Sequence, residues 1–122
     1  MLGVNLLVRL GRGLLAGPLT DSGVLPASCY RHLALAALEE EDFSAALNYL
    51  KWANDPLLVQ VLILRLRLLT ARHRRQEQAL EDLLQTDLSE EQRAGCQALL
   101  KEEYRAQRLL EQYEAQGLGM LG

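Results

Sequence analysis

Aromatic side chains are scarce in this 122-residue chain, with one Phe, one Trp and four Tyr. The apolar residues are instead mostly Leu and Ala, a set that favours helices over strands. Cysteine is as rare. Cys29 and Cys96 stand far apart with no zinc-site spacing and no disulfide framework, which leaves two buried, reduced thiols as the expectation. The only histidines, His32 and His73, have no Cys, Asp or Glu at helical ligand spacing, so no metal site is expected. The longest strongly apolar run, Leu57 to Leu69, is too short to span a bilayer and contains Arg65 and Arg67. The chain therefore reads as a soluble protein. A formal net charge of −3 supplies no global field for nucleic acid or a membrane surface.

Catalytic signatures are missing too. No glycine-rich loop follows a strand to cradle a phosphate. Ser28 and Cys29 lie near His32 but lack a third orienting group and a strand-to-helix elbow. The run Glu39, Glu40, Glu41, Asp42 lacks the alternating oxygen ligands and central glycine of a calcium loop. The expectation is a binding protein, without cofactor or enzymatic activity. Its length fits one domain, which at this size buries roughly two thirds of its unfolded surface.

The first 26 residues form a separate region, interrupted by Gly3, Gly11, Gly13, Gly17, Gly23, Pro18 and Pro26. A flexible N-terminal arm over 1–26 is expected, because glycine and proline disfavour a long helix. Leu2, Leu6, Leu7, Leu10, Leu14 and Leu15 with Arg9 and Arg12 sketch a basic amphipathic face, the alternative being a mitochondrial transit peptide. Localisation is accordingly expected to be cytoplasmic, with mitochondria as the alternative.

From Pro26 onward the apolar spacing is helical. A first helix is predicted over about 27–40, burying Leu33, Ala34, Ala37 and Leu38. The acidic run at 39–42 reads as a turn, with Asp42 capping a second helix over about 43–53. Asn54, Asp55 and Pro56 start a third helix, Asp as cap and Pro at the first helical position. That helix is apolar on nearly every face and should be the most buried. The cations Arg72, His73, Arg74 and Arg75 are expected to end it, and a fourth helix to run over about 76–85. Ser89 and Gln92 form a capping box for a last helix reaching about residue 116, followed by a disordered tail at 117–122.

Tyr30, Leu33, Ala34, Ala37, Phe43, Ala46, Leu50, Ala53 and Pro56 fall close to the spacing of one helix–turn–helix repeat. A step of 33 residues carries Tyr30 to Ile63, Leu33 to Leu66, Ala46 to Ala79 and Leu50 to Leu83. In this the chain resembles the tetratricopeptide repeat class. It departs from the pattern at Arg67, where a small residue is expected, and at Gln76, where an aromatic is expected. The resemblance implies an all-α, five-helix, right-handed bundle over 27–116: two helical hairpins closed by a long C-terminal helix.

In that family the first helix of each repeat lines a groove for an extended peptide or a partner helix. Carried over, the groove comprises Arg31, Leu35 and Leu38 from the first repeat and Leu64, Leu68 and Arg72 from the second. The chaperone-binding subclass grips a terminal carboxylate with a Lys and an Asn one turn apart. Arg31 and Leu35 stand there, which points to apolar or helical ligands instead. A second candidate surface is self-association, or pairing with another chain, through Leu99, Ala106, Leu110 and Tyr113 on the last helix. A third is a basic patch at Arg72, Arg74 and Arg75, with Arg65 and Arg67 nearby, for nucleic acid or an anionic membrane. No aromatic residue is interleaved with these arginines to stack bases, which favours the cluster from Arg72 to Arg75 capping its helix and pairing with Glu77, Glu81 or the acidic turn.

Overall fold

A computed structural model of the protein describes residues 25–122. Among the described residues it is all-helical, with four α-helices and no strand. They are α1 (Ala27–Glu39), α2 (Phe43–Ala53), α3 (Pro56–Leu84) and α4 (Glu90–Leu121). Two compact units form, one of residues 25–63 with Gln116–Gly122, the other Leu64–Ala115. The arm expected over 1–26 lies, up to residue 24, outside the described residues.

The first unit follows the sequence closely. In α1, Tyr30, Leu33, Ala34 and Ala37 recur at three- and four-residue spacing, and all are buried. The helix ends in a Schellman turn: Asp42 N–H donates to the Ala37 carbonyl (2.9 Å) and Glu41 N–H to that of Leu38 (3.1 Å). Glu41 takes the left-handed conformation that this turn requires, φ 57°. Asp42 then caps α2, its Oδ1 accepting from Ala45 N–H at 3.2 Å. Phe43, Ala46, Leu47, Tyr49, Leu50 and Ala53 bury the side of α2 that packs on α1. Left-handed Asn54 (φ 52°) breaks the chain again, and Asp55 caps α3 through Leu58 N–H at 3.2 Å. Leu58, Val59, Leu62 and Ile63 complete this core from α3.

Two expectations fail at the helix ends. Helices read separately before and after Arg72 to Arg75 are one 29-residue helix, α3. Arginine is a good helix former, and nothing between Leu57 and Leu84 is a glycine, a proline or an αL residue, so the cations sit in mid-helix and stop nothing. There are therefore four helices among the described residues, where five were expected over 27–116. Likewise Gly117 to Leu121, expected as a disordered tail, continue α4. Gly117 is buried because its backbone runs close to α3: a Cβ placed there meets Ile63 Cγ1 at 3.1 Å and Leu62 Cδ2 at 3.5 Å.

The second unit is an antiparallel hairpin of α3 and α4. Its partners run in opposite order along the two helices, from Arg67 with Glu114 through Glu77 with Gln107 to the Leu84 carbonyl with Arg93. Between the helices, Thr86 closes the end of α3 by donating to the Leu83 carbonyl (2.6 Å). Ser89 and Gln92 form the predicted capping box, with reciprocal bonds of 3.1 and 3.0 Å. Leu66, Thr70 and Leu110 are buried in the seam.

Candidate functional site

α3 was expected to be the most buried helix, yet one of its faces is open. Leu62 and Leu66 are fully buried, while Leu64 and Leu68 are 58% and 72% exposed. With 100° between successive helical residues, Leu64 and Leu68 point away from the Leu66, Thr70 and His73 side that meets α4. Leu57 and Val61, on the turns of α3 belonging to the first unit, are exposed as well. Two-helix packing covers only one stripe of each helix, and α3 carries leucines on the other stripe too.

The cations flank this open face. Arg67 pairs with Glu114 at 3.5 Å and Arg74 with Glu111 at 3.9 Å, both across the hairpin. Thr70, Ala71 and Arg75 complete a shallow depression with these four side chains. The carboxylates of α4 thus neutralise two of the arginines, and Arg74 meets Glu111 where Glu77, Glu81 or the turn at 39–42 was expected. Arg72 and Arg75 are exposed and have no ion pair among the described residues.

The predicted groove residues belong to two different units. Leu64, Leu68 and Arg72 share the open face of α3 at four-residue spacing, and Arg31 and Leu35 are exposed one turn apart on α1, in the other unit. Leu38 is only 3% exposed and belongs to the α1–α2 core, so it cannot line an open surface. Of the helix-pairing set, Leu99 is exposed and Ala106 and Tyr113 are half-buried, but Leu110 is buried in the hairpin. The long α3 supplies Leu110 with an intramolecular neighbour, which the shorter predicted helices could not. In the weaker repeat, Ala79 and Leu83 are exposed although Ala46 and Leu50 at the matching positions are buried.

A polar cluster in the hairpin went unread. His73, expected among the cations that end a helix, is half-buried in mid-helix, and its Nδ1 donates to Glu103 Oε2 at 2.5 Å. With the Gln76 amide oriented to donate, its nitrogen lies 2.9 and 3.2 Å from the two Glu103 oxygens. Beside them Gln107 donates to Glu77 at 3.5 Å and the Tyr104 hydroxyl to Glu81 at 3.0 Å. That last bond, together with partial burial and the charges of Glu81 and Glu77, raises the Tyr104 pKa above its ordinary 10.0. The signal in the sequence was Glu103, which interrupts the apolar spacing of the last helix.

Cys29 is exposed and Cys96 buried, both as free thiols, so only one of the two lies inside as expected. Among the described residues no three His, Cys, Asp or Glu side chains come together to hold a metal, and no helix is long and apolar enough to cross a membrane. The chain matches no family model, no curated protein and no solved structure.

Proposed function

We propose that this chain is a non-enzymatic adaptor or complex-assembly subunit that docks another protein, through a helix or an apolar peptide, on the open face of α3. The observation that carries the reading is the exposure of Leu64 and Leu68 on a helix whose intervening residue, Leu66, is fully buried. Leaving large aliphatic side chains in water at adjacent turns forgoes roughly 1.5–3 kcal/mol for each, a loss that a partner would recover. The α1–α2 hairpin, with Tyr30, Leu33, Ala46 and Leu50 turned inward, supports a tetratricopeptide-like origin for the first unit. Cytoplasmic residence belongs to the same proposal, with mitochondria as the alternative if residues 1–26 act as a transit peptide.

A photo-reactive residue placed at Leu68 of the full-length protein in cells tests the reading against the same residue placed at Glu102 on α4. Discrete protein adducts at position 68 and none at 102 are expected. Equal adducts at both positions, or none at 68, refute it.

One observation favours a second reading, an anionic partner: between Pro56 and Gln76 there are five arginines and no acidic residue. Nucleic acid or anionic lipid bound there shows affinity that falls steeply with salt, through counterion release from the phosphates. Engagement of Arg67 and Arg74 by Glu114 and Glu111 weighs against it.

A further inference from the structure

We infer that the occupant of the open α3 face is an amphipathic helix with a narrow apolar seam flanked by carboxylates. This rests on the docking reading above and specifies the chemistry of its partner. Within the second unit, the exposed apolar residues Leu64, Leu68 and Ala71 follow at steps of four and three along α3. That alternation is the a/d pattern by which one helix packs against another, knobs into holes. The stripe is also narrow. An interfacial helix that lies in a membrane presents a broad apolar face, whereas an a/d-only stripe is the width of a helix–helix seam.

Charge decides between the possible helices. Residues bordering an a/d seam face those bordering the partner's seam, and on α3 the border positions next to Leu64 and Leu68 include Arg67 and Arg72. Arg75 continues the seam itself beyond Ala71. With Arg72 and Arg75 lacking an ion pair among the described residues, the cationic end of the stripe is unmatched. A second copy of this stripe supplies nothing to match it, because no carboxylate occurs from Pro56 to Gln76, and the acids further along α3, Glu77, Glu81 and Asp82, already accept hydrogen bonds from Gln107, Tyr104 and Gln78. Residues 1–24 are equally poor in acid, with Asp21 against Arg9 and Arg12. A partner helix with Glu or Asp beside its apolar seam supplies both the side chains that cover the leucines and the counter-charge.

The test uses the full-length chain and two synthetic three-heptad peptides, each with Leu at a and d, one with Glu and one with Lys at e and g. Fluorescence anisotropy measures binding. The Glu peptide is expected to bind at least about tenfold tighter than its Lys twin, and Arg72→Glu with Arg75→Glu to invert that preference. Leu64→Gln with Leu68→Gln abolishes binding while leaving helicity intact, since both side chains are already exposed. Equal binding of the two peptides, or no loss in the Gln variant, overturns the inference. So does binding of phosphatidylserine vesicles in place of the Glu peptide, or a dimer in sedimentation that Leu64→Gln dissolves. Adducts at position 68 that the Glu peptide fails to displace refute the acidic helix but leave protein docking standing; absence of both adducts and peptide binding refutes the two together.

Discussion

Leu62, Leu64, Leu66 and Leu68 are indistinguishable in sequence, and replacing each with alanine separates the two faces of α3. Leu62 and Leu66 are at 0% exposure, so truncation removes fully buried carbons and leaves a cavity that neighbours refill only in part. Losses of about 3 kcal/mol are expected for each, within the range for buried Leu→Ala changes. Leu64 and Leu68 are 58% and 72% exposed, and alanine is at least as good a helix former as leucine. Those changes should stay within about 0.5 kcal/mol of the parent. Urea unfolding followed by circular dichroism reads the difference directly. With a slope of about 2 kcal/mol per molar, the buried pair lowers the midpoint by about 1.5 M and the exposed pair by no more than about 0.25 M. If Leu68→Ala costs as much as Leu66→Ala in the isolated protein, something in the chain or a second copy already covers the stripe, and the docking surface does not exist.

Three further outcomes follow from local geometry. Removing either cap, by Asp42→Ala or Asp55→Ala, leaves a helix N-terminal N–H without its side-chain acceptor and should cost about 1 kcal/mol, measured by thermal unfolding. At Gly117, alanine should be near neutral, because about 0.8–1 kcal/mol of helix propensity is offset by crowding against Ile63, whereas Gly117→Leu overpacks the site and should cost about 1–3 kcal/mol. Tyr104 is held protonated by its bond to Glu81, so its contribution to stability is present below pH 10.0 and is lost as pH rises through the elevated value. Ultraviolet titration should therefore show a late-ionising component that Tyr104→Phe removes; a titration curve unchanged by that substitution refutes the bond.

Local signals were the most legible part of the sequence. Asp42, Asp55 with Pro56, and Ser89 with Gln92 mark helix starts by chemistry that acts over three residues, and all three form as read. The buried face of α1 and α2 was equally readable, because its spacing is helical and its neighbour is the next helix in sequence. Helix stops were harder. A block of cations is favourable at a C-terminus but does not enforce one, and only a glycine, a proline or an αL residue would have broken α3 at Arg72. From that expected stop follow the second hairpin, the helix-end His73 and a Leu110 available for pairing with another chain. Which face of α3 stays open was not in its composition at all, since leucines occur on every side of its first half. Burial there depends on how much surface α1, α2 and α4 can cover.

The polar cluster around Glu103 bears on how α3 and α4 are aligned. A seam of leucine, alanine and threonine tolerates sliding, because one apolar pair replaces another after each heptad. Glu103 does not tolerate it. A slip of one heptad takes its carboxylate away from His73 and Gln76, to Leu80 and Leu83 in one direction and to Leu66 and Leu69 in the other, none of which has a side-chain donor. The stranded carboxylate would lose charge-assisted bonds that no neighbour replaces. Hydrogen bonding in the middle of the hairpin thus acts as a register pin, and it also fixes which turns of α3 are left turned outward.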